Sequence, residues 1–548
     1  MKKITKYTIG LFAAAALAVS VAYTPNYFEI SKQLDIFTSI FKEVNLYYVD
    51  ETQPGELMTE AIESMLYSLD PYTTYIPEER VEDYKIQTTG HYGGIGATIR
   101  QKQDSLVIVN TYEGFSADKA GLKPGDFIIS IDGKGVAGKS TDDVSKILKG
   151  APGTEVTLSL LRNGTMLTKE LEREDVQVKS VPYYGMLPGH IAYVSLNSFT
   201  NKASKEIKGA LEELKENQVD AIILDLRGNP GGLLSEAVNV SNLFIEKGKE
   251  VVNTKGKMEE WEKSYKTLNQ PDDTETPIAV LINSGSASAS EIVAGTLQDY
   301  DRGVVIGQRS FGKGLVQQTR KLSYGAQLKV TIAKYYTPSG RCIQAINYAE
   351  RAEDGSVEKI PDSLRTRFET EAGRPVFDGG GIDPDLVVEK PKINDAIVGL
   401  FRDMLIFDYA TAYTRSHSEI APAAEFSLSD EEYGKFISWL KKRDFNYDTD
   451  TEKNLQQMEK SARQEGYYEA IKAELEALKN QYVTEENGDL KEYRVEVKQL
   501  LEEEIVSRYY YDSGRIANSL SHDKEVGRAR EVLLDQDKYQ NILTLAAQ

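Results

Sequence analysis

A single cysteine, Cys342, serves 548 residues. That excludes a disulfide framework, and no Cys/His cluster has the spacing of a zinc site, so no metal ligand set is expected. Histidine is almost as scarce: His91, His190, His417 and His522 stand in unrelated contexts. Positive charge is in deficit, with 65 Lys and Arg against 85 Asp and Glu and a net charge of −20. Such a balance argues against nucleic acid as a partner and favours solubility. Long apolar runs are missing too. The run from Ile9 to Tyr23 is 15 residues, short for a membrane span. No internal repeat or low-complexity tract stands out. What remains is a soluble globular composition, 40% hydrophobic and 27% charged, at a length that implies several domains.

The N-terminus reads as a targeting segment. Lys2, Lys3 and Lys6 precede the apolar run, and Ser20-Val21-Ala22 offers small residues for cleavage. Residues 1–22 are read as a signal peptide or an uncleaved signal anchor. Either implies export across a bacterial inner membrane to a periplasmic or other extracytoplasmic location, with membrane contact only through this segment.

The chain is organised around the stretch from Ile278 to Gln317. A short apolar run, Ile278 to Ile282, reads as a buried strand. It breaks into small residues, Asn283 to Ser288, and a helix pattern follows through Ile292, Val293 and Leu297. A second strand, Val304 to Gly307, leads to a glycine-bracketed lysine, Phe311-Gly312-Lys313-Gly314. Strand, tight turn and helix present a hydroxyl beside helix N-terminal N–H groups, which have no intrahelical partner and sit at the positive end of the dipole. A serine hydroxyl needs a base, and no histidine is near. A lysine serves if burial disfavours its ammonium form, and Lys313 has an apolar neighbourhood suited to that. On an extended strand Lys313, Leu315 and Gln317 share a face.

GSASASE followed by FGKG-x-VQ resembles the carboxy-terminal processing peptidases, also called tail-specific proteases, which are Ser/Lys serine peptidases. The 25 residues from Ser288 to Lys313 match the family spacing. The resemblance makes Ser288 the nucleophile, Lys313 the general base and Gln317 the residue that orients it. It implies an acyl-enzyme mechanism that needs no cofactor.

Residues 23–87 read as helical, with Ile30, Leu34, Phe37, Phe41 and Val44 on one stripe expected to be core. Residues 88–175 look like the family's PDZ domain. Gly93-Gly94-Ile95-Gly96 precedes a strand, and glycines there let backbone N–H groups converge as a carboxylate-binding nest. With Val144, Ile147 and Leu148 on a following helix, this loop would form a groove where an extended peptide adds as a strand. The partners implied are protein or peptide substrates with free apolar C-termini.

Residues 176–390 read as alternating strands and helices, suggesting parallel βαβ units with a crevice beyond the strand C-terminal ends. The strand from Ala221 to Leu226 ends in Arg227-Gly228-Asn229-Pro230-Gly231-Gly232, repeating the layout of the serine turn. The resemblance assigns the oxyanion N–H groups to Gly232 and Ala289. An acidic, loop-like insert spans about 349–378. Residues 391–548 are charged and helical, read either as a helical domain with solvated faces or as an arm for homodimerisation or an adaptor.

The expected fold is therefore α/β: a crotonase/ClpP-like βα peptidase core with an inserted PDZ domain, an N-terminal helical segment and a C-terminal helical domain. The expected function is an exported serine endopeptidase that recognises C-terminal tails. Its rivals are a crotonase-like acyl thioester enzyme, disfavoured by the PDZ segment and the Ser288/Lys313 pair, and a non-catalytic PDZ scaffold or chaperone.

Overall fold

A computed structural model describes residues 27–544 apart from 353, 391–393, 444, 446, 448 and 449. The targeting segment lies outside the described residues. Among those described, no helix is long and apolar enough to cross a membrane.

The chain divides into two units, one ending at Tyr75 and one beginning at Ile76. In the first, helices span Tyr27–Tyr47 and Pro54–Tyr67. The helical stripe is present, but its expected burial is not: no residue of Tyr27–Tyr47 is buried, and Ile30, Leu34, Phe37 and Val44 are exposed. Periodicity reports which residues share a face, not whether this chain covers that face.

The second unit opens with the helix Val81–Thr89, ended by Gly90 in the left-handed conformation. A ribbon follows, His91–Gly94 antiparallel to Glu174–Gln177. Between these strands lies a small sheet in the order Ala97–Lys102, Ser105–Thr111, Phe127–Ile131, Glu155–Arg162, Thr165–Glu172. The helix Thr141–Leu148 closes its core, started by a capping box between Ser140 and Asp143.

The larger sheet runs Tyr183–Leu187, Ile191–Ser195, Ala221–Asp225, Ile278–Ile282, Val304–Gly307, Leu386–Val387. Its first pair is antiparallel and the rest are parallel. The four central strands are buried on both faces and read as continuous apolar runs for that reason. One face is covered by the helices Ala203–Lys215, Leu234–Phe244 and Ala289–Asp299. The other is covered by residues from the far end of the chain: Val526, Ala529, Val532 and Leu533 of the helix Lys524–Leu533, with Tyr539 and Leu543 of the helix Gln536–Thr544. A second sheet, of Glu250–Gly256, Lys263–Lys266, Leu315–Lys321 and Gln327–Tyr336, is antiparallel throughout. Among the described residues of 349–378, a 3-10 turn spans Asp362–Leu364 and a hairpin pairs Arg367–Glu369 with Pro375–Phe377.

The C-terminal helices have their own core, in which Leu405, Tyr409, Phe436, Leu501 and Ile505 are buried together. They also touch the small domain: Phe407 and Met404 pack on Val107, Lys102 pairs with Asp408, and Tyr511 donates to Asp118 at 2.8 Å.

Candidate active site

The parallel pairing of Leu224 with Val280 sets two strand-to-helix turns side by side at the C-terminal edge of the large sheet. Side chains stitch them together. Ser286 Oγ donates to the Leu226 carbonyl at 2.7 Å, and Ser290 Oγ to the Asn229 carbonyl at 2.9 Å. Asn283 Oδ1 accepts from the Gly228 N–H at 2.9 Å, and Asn229 Oδ1 from the Gly231 N–H at 2.9 Å. Both flanking serines are fully buried, with their hydroxyls committed to carbonyls. Ser288, between them, is half-buried and lines a cavity. Its backbone sits at φ 56°, ψ −112°, a conformation that costs a non-glycine residue about 1–3 kcal/mol and persists only when its surroundings enforce it.

The cavity, about 610 Å³, brings Ser288, Ala289, Gly232, Lys313 and Gln317 together. Ala289 is the first helical residue, so its N–H has no partner within the helix. The Gly231 N–H is engaged by Asn229, and the next residue, Gly232, stands at the cavity wall. Gly231 has φ +102°, and a Cβ there would lie 2.9 Å from Ser288 Cβ and 2.8 Å from the Ala287 carbonyl. Glycine is therefore required by both conformation and space. Leu233, Leu234, Ile292 and Val316 add apolar wall, and Tyr84, Gln87 and Thr88 of the helix Val81–Thr89 close one side.

Two groups that sequence reasoning did not assign hold the serine and lysine backbones. Glu291 is completely buried. Its Oε2 accepts from the Ser288 N–H at 2.8 Å and the Lys313 N–H at 2.9 Å, and its Oε1 from Ser310 Oγ at 2.5 Å and the Gly312 N–H at 2.7 Å. Burial pushes its carboxyl above the usual glutamate range, against the pull of these four donors. Tyr335, also buried, directs its hydroxyl at the Lys313 carbonyl (2.6 Å) and the Ser288 carbonyl (3.1 Å). The only sign of Glu291 in the sequence is its place three residues after Ser288, which reads as an ordinary helix start.

Lys313 is half-buried rather than enclosed, and it precedes the strand Leu315–Lys321. A bulge between Val316 and Gln317 breaks the simple alternation that would put Lys313 and Gln317 on one face. Both still line the cavity, and Gln317 Nε2 donates to Thr331 Oγ1 at 3.1 Å.

The glycine loop of the small domain also differs in detail from expectation. Gly93 and Gly94 belong to the ribbon strand, opposite Asp175 and Glu174, so they do not form a nest. Gly93 is there because a Cβ would fall 2.0 Å from the Gly150 carbonyl. Ile95 and Gly96 follow the strand, Gly96 at φ +73°. Ile95, Val144 and Leu148 are sealed in the domain core, while Ile147 is 38% exposed.

Comparison with known proteins gives three family matches. Residues 190–350 match the model for peptidase family S41, residues 93–172 a PDZ domain, and residues 396–533 "Probable PDZ-protease, C-terminal helical domain". A "Carboxy-terminal-processing protease" of Bartonella bacilliformis is 37% identical over 354 residues, covering 63% of this chain and 81% of the relative. A "Probable CtpA-like serine protease" of Staphylococcus aureus strain COL is 37% identical over 345 residues, 61% of this chain and 69% of that protein. Among solved structures, a photosystem II D1 C-terminal processing protease is 27% identical, covering 64% of this chain and 92% of that one, with a TM-score of 0.35.

Proposed function

This chain belongs to peptidase family S41, with the carboxy-terminal-processing serine proteases, and we propose that it is an exported endopeptidase working through Ser288 and Lys313. Ser288 Oγ attacks the scissile carbonyl as Lys313 Nζ takes its proton. The Gly232 and Ala289 N–H groups receive the developing oxyanion, where loss of one such donor costs about 3–4 kcal/mol of transition-state stabilisation. Lys313 then protonates the leaving amine, and water hydrolyses the acyl-enzyme. Gln317 orients the lysine.

The observation that carries this reading is the shared carboxylate: one oxygen of Glu291 accepts from the backbone of both Ser288 and Lys313. That oxygen holds the two backbones side by side, which supports a pairing of their side chains. Ser286 and Ser290, the other hydroxyls of the motif, are turned into the protein. The PDZ domain is proposed to hold the free apolar tail of a protein substrate along the strand Ala97–Lys102, with the chain extending into the cavity at Ser288. Export rests on residues 1–22.

The test is digestion of unfolded casein by the wild-type chain and by Ser288→Ala. The wild type should produce fragments and the variant none, with unchanged melting temperature. More than trace cleavage by Ser288→Ala would refute the nucleophile assignment.

A further inference from the structure

Arg227 is the last residue before the glycine turn that carries Gly232. Its side chain is 16% exposed, and its guanidinium faces three carboxylates. Asp225, from the end of its own strand, receives Nε at 2.9 and 3.0 Å. The other two come from the far end of the chain: Asp523 at 2.8 Å and Glu525 both meet Nη1. Asp523 is also the N-cap of the helix Lys524–Leu533, accepting from the Glu525 and Val526 N–H groups. The second oxygen of Glu525 accepts from Gln308 Nε2 at 2.6 Å. Gln308 directly follows the strand Val304–Gly307, and its N–H bonds the carbonyl of Ile282, the last residue of the serine strand. Five residues further on is Lys313. Glu525 thus ties the residue before the oxyanion turn to the residue opening the base loop. Behind it, Val526, Ala529 and Val532 lie on the sheet beneath both turns.

The geometry points to Asp523 and Glu525 as positioning residues for peptide hydrolysis: acting through Arg227 and Gln308, they make the C-terminal helical domain a structural part of the catalytic centre. Three carboxylates around one partly buried guanidinium are more than pairing requires. Only the two C-terminal ones reach across from another domain. Asp225 alone already pairs Arg227 within its own turn, so the cross-domain contacts add position rather than neutralisation. The inference rests on the peptidase reading with Ser288 as nucleophile.

The experiment uses the full chain and a fluorogenic unstructured peptide. Glu525→Gln keeps the side-chain shape, and Asp523→Asn keeps the helix cap, since asparagine caps as well as aspartate. Each should lower kcat at least about fivefold, leave KM within about twofold and leave the melting temperature almost unchanged. Arg227→Met should lose at least as much, and Arg227→Met combined with Glu525→Gln should be no worse than Arg227→Met alone, because the two act in series. Normal kcat in both Glu525→Gln and Asp523→Asn would overturn the inference. So would losses that multiply in the combined variant, or that follow melting temperature alone. A wild-type enzyme that leaves the peptide intact would instead overturn the peptidase reading beneath it.

Discussion

Replacing Glu291 by glutamine removes one charge and almost no volume, so it isolates the clamp from the packing. Four donors converge on the carboxylate, two on each oxygen. An amide has one accepting oxygen, and its NH2 must take the other position. The cheaper orientation puts the NH2 toward Ser310, whose hydroxyl can turn to accept, and leaves the Gly312 N–H without an acceptor. A buried donor left unsatisfied costs about 1–3 kcal/mol. The bonds that survive change from charge-assisted to neutral and lose roughly half their strength, about 1 kcal/mol each. The tether weakens by about 3–5 kcal/mol in all. Global stability should fall by much less, because burial disfavours the charged form of Glu291 and the neutral amide avoids that desolvation. If about 1.4–2.8 kcal/mol of the loss reappears as misplacement of Ser288 against Lys313, kcat drops about 10- to 100-fold.

The assay is steady-state peptide hydrolysis beside thermal unfolding: kcat should fall by that factor, KM should stay within about threefold, and melting temperature should move little. pH gives an independent check. The folded carboxyl is raised above its unfolded value, so this group's contribution to fold stability is greatest at low pH and is lost as pH rises through the raised value. Its contribution to activity has the opposite sign, because protonation disrupts the clamp on acidification through the same range. The acid limb of kcat should therefore be shallower in Glu291→Gln than in wild type, where both Glu291 and Lys313 act on it. A Glu291→Gln enzyme with wild-type kcat, or one whose loss follows its melting temperature, would refute the clamp.

Lys313→Arg should be inactive in casein digestion despite its retained charge, since arginine stays protonated, while Gln317→Ala should lose activity less severely; an active Lys313→Arg enzyme would end the general-base assignment. Gly231→Ala should reduce cleavage at least about 100-fold because its methyl group would press on Ser288 and on backbone that cannot yield, and unimpaired turnover would show that the turn is looser than described. Asp273 offers a stability test away from the site: burial alone would raise its carboxyl, but hydrogen bonds from Lys215 and Thr276 outweigh it and bring it down to about 2. Its contribution is present above the ordinary aspartate value and disappears as pH falls toward about 2, so Asp273→Asn should destabilise by roughly 1–2 kcal/mol at neutral pH after allowance for solvent screening. Denaturant unfolding at several pH values checks this, and a cost that persists at pH 2 would contradict it.

The strands and turns around Ser288 and Lys313 were legible because buried parallel strands are written as short apolar runs and their turns as small residues, both local signals. The family resemblance singled out Ser288 among three serines, and the fold supplies the physical reason in the carbonyls that Ser286 and Ser290 bond. What stayed hidden was nonlocal. Glu291 is a first-turn glutamate like many others until Gly312 and Lys313 are brought beside it. The bulge before Gln317 leaves no mark on the apolar pattern. Gly93 and Gly94 look like loop glycines, but the close approach of Gly150 explains Gly93. The helix stripe through Ile30, Leu34 and Phe37 was seen, whereas its exposure depends on what the chain places nearby. The C-terminal helices were read as a domain or an arm, and nothing in their periodicity announces that Val526 and Tyr539 face the sheet of Ile223 and Leu281.

That last packing bears on the order in which the sheet beneath the two turns becomes buried. Ser288, Lys313 and both turns precede residue 320, yet one side of the central sheet packs chiefly against residues 516–543, with Leu386 and Val388 beside them. Without that segment the second face, with Tyr193, Ile223, Leu281 and Ile306, would present apolar side chains with little to cover them. Burial of the sheet that carries both turns is thus a contact of high sequence separation, slow to form because the long intervening chain must close first.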